Sequence, residues 1–123
     1  MEKKKKYSNK NLALRLFENN NTIELQWEGK SIDREPATFI SPILAKILNR
    51  AAAKSKRITM DFRELSYMNS STITPVIKIL ERAKKSKTKI TIFYKKSLNW
   101  QELNFSALEI FNTKNNQIQI KGL

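Results

Sequence analysis

The spacing of apolar residues changes repeatedly along this chain, and this change constrains the fold more than any other feature. Near the start, Leu12, Leu14 and Leu16 recur at every second residue, which is the period of a half-buried strand. Further on, the apolar residues from Phe39 to Leu48 recur at intervals of three and four, which is the period of an amphipathic helix. A chain that alternates between these periods is expected to form an α/β domain.

The predicted elements follow the order β-β-α-β-α-β-α-β. The first two strands flank Asn19-Asn20-Asn21 and are expected to form a hairpin. The later strands alternate with helices, and such crossovers place parallel strands side by side. We therefore predict an α/β fold: a small mixed β-sheet, made of an N-terminal hairpin and then βα repeats, with helices packed on it. Pro42 either lies in the first turn of the first helix or kinks it, and the last helix is expected to break near Ser106.

The residue types that are missing exclude most catalytic chemistry. The 123 residues include no cysteine, no histidine and only 2 glycines. Without histidine and cysteine there is no serine or cysteine triad, and a zinc or copper site is disfavoured. Two glycines cannot build a glycine-rich phosphate loop. We predict a protein that is not an enzyme and needs no metal or cofactor.

The chain is strongly basic, with 24 basic and 11 acidic side chains and a formal net charge of +13. Such a charge suggests acidic partners, nucleic acid or anionic lipid, whereas a solvated surface whose lysines partly offset helix dipoles is the plainer alternative. Residues 1–10 are predicted to be a disordered lysine-rich arm, followed by a single domain over residues 11–123. Because these ten residues lack the apolar segment of a secretory signal, a cytoplasmic location is expected.

Two adjacent serines stand where the second helix is predicted to begin. Ser70 and Ser71 follow the strand at residues 57–62 and precede a helix that starts near Thr72. The amino end of a helix presents unpaired N–H groups and a positive dipole, so it suits an anion. A serine there is either a helix cap or a place where a phosphate is attached and removed. Since one cap suffices, one hydroxyl is left for another use.

The run from Met60 to Ile73, MDFRELSYMNSSTI, resembles the STAS domain of bacterial anti-sigma-factor antagonists. In that family a strand ends in aspartate, a leucine and an aromatic-apolar pair follow, and Asp-Ser-Ser-Gly-Leu-Gly opens a helix. Residues 97–111 resemble the family's third helix, and the similarity spans roughly residues 12–121. Asn69 replaces the family's aspartate, and Thr72 and Thr74 replace its glycines. These departures resemble a divergent branch of regulatory phosphoproteins that work with a kinase and a phosphatase.

The resemblance implies a non-enzymatic regulator whose partner binding is switched by reversible serine phosphorylation. The acceptor would be Ser70, with Ser71 as the cap; the supporting residues would be Asp61, Asn69, Ser71 and Thr72. The partner would contact the loops Ser66–Thr72 and Ser31–Ala37, and in particular Tyr67, Met68, Thr74 and Lys78. The expected partners are a GHKL-type serine kinase that is also an anti-sigma factor, a PP2C-type phosphatase, and an output enzyme such as a diguanylate cyclase.

The main alternative is a small basic nucleic-acid-binding protein. The net charge and the lysines of residues 3–6 favour it. No recognised reader motif is present, and the aromatic residues mostly fall at predicted core positions, including Trp27 and Trp100. A membrane-surface role is weaker still, because a few lysines without an apolar face or a lipidation signal bind membranes poorly.

Overall fold

The computed structural model describes residues 3–123 and contains one mixed sheet with three α-helices. The strands are β1 (Lys3–Asn9), β2 (Leu12–Glu18), β3 (Thr22–Ser31), β4 (Arg57–Asp61), β5 (Leu65–Met68), β6 (Ile90–Tyr94) and β7 (Ile118–Gly122). The helices are α1 (Pro36–Lys54), α2 (Ile73–Ser86) and α3 (Asn99–Ser106), and short 3₁₀ turns cover Ser70–Thr72 and Ala107–Phe111. The predicted α/β class is therefore confirmed.

The strands lie in the order β1-β2-β3-β4-β6-β7, and the short β5 pairs with the end of β3. The predicted hairpin is β2 and β3, which pair antiparallel with Leu14 opposite Trp27. From β3 onwards, β4, β6 and β7 each join in parallel, as the alternation of strands and helices predicted. The carboxyl ends of β4, β5 and β6 therefore meet at one edge of the sheet, where the predicted serines follow β5.

One face of the sheet carries the core. On β3, β4 and β6 every second side chain is buried, and the side chains between them, such as Thr59 and Thr91, remain partly exposed. A single buried cluster extends from Leu12 to Ile120 and includes the apolar sides of α1 and α2. Burial of this apolar surface is the main favourable term in folding. The helices therefore pack on one face of the sheet, and the connecting loops lie at the two ends of the strands.

The prediction of a disordered arm over residues 1–10 is wrong for most of its length. Lys3–Asn9 forms β1, which pairs antiparallel along the whole of β2, from Lys3 opposite Glu18 to Asn9 opposite Leu12. Met1 and Glu2 lie outside the described residues. Lysines are common on edge strands because their charge opposes pairing with another chain. The run of lysines therefore indicated that these residues are exposed to solvent, but not that they are disordered.

Helix α1 begins at Pro36, which occupies the first turn, so of the two positions left open for Pro42 the structure has the one inside a longer helix. One further boundary differs from the predictions. The segment after β4 contains the additional strand β5, which the sequence analysis treated as a turn. α3 ends at Ser106 and continues as a 3₁₀ turn, as predicted.

Candidate functional site

The turn between β5 and α2 is held by Asn69. The side-chain carbonyl oxygen of Asn69 accepts hydrogen bonds from the backbone N–H of Thr72 at 3.1 Å and from its hydroxyl at 2.8 Å. The side-chain amide of Asn69 donates to the backbone oxygen of Asp33 at 2.7 Å. The residues 69–72, here called the serine turn, are thus fixed by one side chain that caps the turn and also ties it to the loop after β3.

A buried pair of hydroxyls joins the same two segments. The Ser31 and Thr72 hydroxyl oxygens lie 2.7 Å apart, and both side chains are buried. The backbone N–H of Asn69 also donates to the backbone oxygen of Ser31 at 2.9 Å. Buried hydroxyls need such partners, because an unpaired one costs about 1–3 kcal/mol. These bonds bring the loop Ser31–Ala37 and the serine turn together.

The hydroxyls of Ser70 and Ser71 are exposed and make no hydrogen bond within residues 3–123. The prediction that Ser71 is the helix cap is therefore wrong. Asn69 makes the capping bond instead, because a 3₁₀ turn over Ser70–Thr72 precedes α2 and moves the cap to an earlier residue. Both hydroxyls are consequently available for modification, at the amino end of a helix of 14 residues.

Asp61 serves a local structural role at the end of β4. Its carboxylate accepts bonds from the guanidinium of Arg63 at 3.0 and 2.8 Å and from the backbone N–H of Arg63 at 3.0 Å. Burial alone would raise the pKa of Asp61, but the hydrogen bonds from Arg63 outweigh it and leave the pKa below its usual value. Within the described chain no hydrogen bond joins Asp61 to the serine turn, so it supports the preceding turn rather than the hydroxyls.

The residues predicted to contact a partner divide into two groups. Tyr67, Thr74 and Lys78 are exposed. Tyr67 is 47% exposed and packs its ring 6.2 Å from that of Trp100, centroid to centroid. Met68, by contrast, is 5% exposed and belongs to the core, so its assignment to the contact surface is withdrawn. The two ends of β5, Leu65 and Met68, are buried, whereas Ser66 and Tyr67 between them are exposed.

Gln101, which was not among the predicted site residues, fixes the chain leading into β5. Gln101 is fully buried; its amide donates to the backbone oxygens of Phe62 at 2.7 Å and Leu65 at 3.0 Å. Its carbonyl oxygen accepts from the backbone N–H of Lys95 at 2.7 Å. The signal available in the sequence was its position four residues before Phe105 on the same helix face, among the core positions of α3.

The arrangement presents two exposed serine hydroxyls at the start of α2. Among residues 3–123 there is no cluster of three or more carboxylate, histidine or cysteine side chains that could hold a metal ion. Two carboxylates of the neighbouring segments have hydrogen-bond partners: Asp61 binds Arg63, and Asp33 accepts from the backbone N–H of Glu35. Among residues 3–123, no helix is long and apolar enough to cross a membrane. The serine turn is therefore suited to being modified and recognised.

Comparison with known protein families agrees with this description. The family model described as "SiaC family regulatory phosphoprotein" matches residues 13–112. The chain belongs to this family. The suspected divergent branch of regulatory phosphoproteins is thereby confirmed, and the match includes the serine turn, α2 and the loop after β3.

Two solved structures share the fold. SiaC of Pseudomonas aeruginosa is similar with a TM-score of 0.62 at 14% sequence identity, covering 98% of this chain and 99% of that chain. An anti-sigma factor antagonist from Mycobacterium paratuberculosis is similar with a TM-score of 0.58 at 12% identity, covering 89% of this chain and 93% of that chain. At such identities the likeness establishes the fold, which is STAS-like as predicted. Among curated proteins none matches the sequence.

Proposed function

We propose that this protein is a non-enzymatic regulator that binds a partner protein when Ser70 is unmodified and releases it when Ser70 is phosphorylated. The observation that carries the proposal is the exposed hydroxyl of Ser70, which has no hydrogen bond in the described chain although the residues on both sides of the serine pair are anchored. Membership of a family of regulatory phosphoproteins supports it.

The switch would act through charge. A phosphoserine carries about −1.5 to −2 charges at neutral pH and three strong acceptor oxygens. On the protein alone such a group is tolerated, because it lies beside the positive end of the α2 dipole. In a close-packed interface it must lose water or meet a partner's carboxylates, and both effects oppose binding. The phosphate therefore changes partner affinity with little change in the fold.

The contact surface would combine the serine turn with three neighbours. Tyr67, whose ring is tilted against that of Trp100, supplies an aromatic side chain of the kind that often dominates binding energy at interfaces. Thr74 and Lys78 extend the surface along α2, and the loop Ser31–Ala37 borders it on the other side, with Ile32 49% exposed. Because Asn69 and Thr72 bond to this loop, a phosphate on Ser70 would lie at the centre of the surface.

The partners would be a GHKL-type serine kinase that can act as an anti-sigma factor, a PP2C-type phosphatase, and an output enzyme such as a diguanylate cyclase. All of them would meet the protein in the cytoplasm. Asn69 in place of the aspartate of the anti-sigma-factor antagonists removes a negative charge beside Ser70. We therefore expect a dedicated kinase rather than one that serves the Asp-Ser-Ser members.

Capture of partners from native cells, with Ser70→Ala, Ser70→Glu, Ser71→Ala and Ser71→Glu as bait, tests the proposal. Ser70→Ala and both Ser71 variants should retain a partner that Ser70→Glu loses by at least about tenfold, which corresponds to about 1.4 kcal/mol. The Ser71 pair is a matched control, since both serines are exposed on the same turn. Equal loss in both Glu variants would show general repulsion at this turn and would contradict a specific role of Ser70.

A further inference from the structure

Lysines are concentrated at the end of the sheet opposite the serine turn. There the amino ends of β4 and β6 meet the carboxyl ends of α1 and α2, around an open groove of about 510 Å³. The cations in its lining are Lys56, Arg57, Lys87 and Lys89, and none of the carboxylates in residues 3–123 lines it. Lys54, Lys84 and Lys85 stand beside it at the ends of the two helices. This surface is here called the basic groove.

Ion pairs and helix dipoles offset only part of the positive charge at the basic groove. Glu18 is nearly buried and binds Lys56 at 2.6 Å and Arg50 at 2.7 Å, so these two cations have a partner. Two helix carboxyl ends together carry about one negative charge. Lys54, Lys84, Lys85, Lys87 and Lys89 are all exposed, and none has a side-chain bond or an ion pair within residues 3–123. Their combined charge exceeds what the helix dipoles can offset.

The lining also indicates which kind of polyanion fits. Apart from cations it consists of Asn21, Ser55, Ser86 and Thr88, and its apolar members are only Ala51 and Ala52. Protein interfaces usually depend on buried aromatic or large apolar anchors, and the large apolar side chains that are exposed in the described chain lie elsewhere. Lysines are flexible point charges that suit phosphate oxygens without reading a sequence.

We propose that the basic groove binds the phosphodiester backbone of nucleic acid without sequence preference. No aromatic side chain lines the groove, so bases would not stack there and a duplex is the expected form. Helix α2 has 14 residues, so about 20 Å separates its two ends. Nucleic acid in the groove and a protein on the serine turn would therefore bind at the same time, which would place the regulator and its partner on a nucleic-acid surface.

Fluorescence anisotropy with a random-sequence duplex of about 25 base pairs tests this proposal between 50 and 200 mM salt. The test variant is Lys54→Gln/Lys87→Gln/Lys89→Gln. The control, Lys30→Gln/Lys96→Gln/Lys121→Gln, removes the same charge from exposed lysines outside the groove. Each lost phosphate contact lowers the salt slope by about 0.9. The groove variant should bind at least about tenfold more weakly with a slope smaller by about 2–3, and the control should change by less than about threefold.

Three results would overturn the proposal. One is the absence of salt-dependent duplex binding by the unaltered protein. Another is an equal loss in the groove and control variants, which would show diffuse attraction to the net charge. The third is stronger competition by poly-glutamate or inorganic polyphosphate than by the duplex at equal charge, which would assign the groove to a different polyanion. Thermal melting of both variants verifies folding, since all six side chains are exposed.

Discussion

At the scale of single residues, Asn69 is the side chain on which the geometry of the site depends most. It caps the serine turn and donates to the loop after β3. Asn69→Ala should lower the free energy of unfolding by about 2 kcal/mol, because a lost helix cap costs about 1 kcal/mol and the Asp33 carbonyl also loses its partner.

Asn69→Asp separates the two roles of this side chain. An aspartate can still accept from Thr72, but it cannot donate to the backbone oxygen of Asp33. We expect a loss about half that of Asn69→Ala, measured by urea denaturation at pH 7. A variant as stable as the unaltered protein would show that the bond to Asp33 contributes nothing.

Gln101 stabilises the chain between β4 and β5, which leads to the serine turn. Gln101→Leu would leave the Leu65 carbonyl and the Lys95 N–H without their side-chain partner, whereas the Phe62 carbonyl would keep its bond from the Leu65 N–H. A buried polar group without a partner costs about 1–3 kcal/mol, so we expect a loss of at least about 2 kcal/mol by denaturant unfolding. Asn104→Ala on the same helix, where the side chain is exposed, should change stability by less than about 0.5 kcal/mol. Similar values for both variants would contradict the account of Gln101.

At the scale of elements, the strands and helices of the core followed from apolar spacing, whereas contacts made by polar side chains did not. Ile58, Met60 and Phe62 revealed β4 because alternation records burial directly. Lys3–Asn9 could not be recognised as β1, since an exposed edge strand has no apolar alternation and its order comes from pairing with β2. The hydrogen bonds by which Asn69 and Gln101 anchor the chain could not be predicted from the sequence either, because their partners include backbone groups distant in sequence.

A prediction at the same scale concerns the ion pairs of Glu18 in β2, here called the clamp. Glu18 joins Arg50 and Lys56 and is 3% exposed. Burial would raise the pKa of Glu18, but bonds and charge from Lys56 and Arg50 outweigh it and lower the pKa. A carboxyl whose pKa is lower in the folded state stabilises the fold above its unfolded value of about 4.3, and this stabilisation is lost as the pH falls through the folded pKa.

Glu18→Gln should therefore cost about 2–4 kcal/mol at pH 7, because the mostly buried Lys56 would lose its counter-charge and keep only its bond to the backbone oxygen of Asn19. The same substitution should flatten the stability curve below about pH 4. Denaturant unfolding across pH 3–7 measures both effects. Glu28→Gln is the control, since its pair with Arg15 is much more exposed and such pairs contribute at most about 1 kcal/mol. An acid dependence unchanged by Glu18→Gln would contradict the role of the clamp.

At the scale of the whole molecule, the two ends of the strands differ in character. The serine turn, Tyr67 and the loop Ser31–Ala37 occupy the end where β4 and β5 finish, and the basic groove occupies the end where β4 and β6 begin. The net charge of +13 alone could not distinguish a basic regulator from a nucleic-acid-binding protein. The fold separates the two surfaces, so each proposed interaction can be tested by its own substitutions.

Site-resolved mass spectrometry of the protein purified from its native cells, with and without phosphatase treatment, tests the proposed phosphorylation of Ser70. We expect one phosphate, located on Ser70 and removed by the treatment, and loss of the modified peptide in Ser70→Ala but not in Ser71→Ala. A phosphate on Ser71 or elsewhere with Ser70 unmodified, or a protein that carries no phosphate in any growth condition, would contradict it.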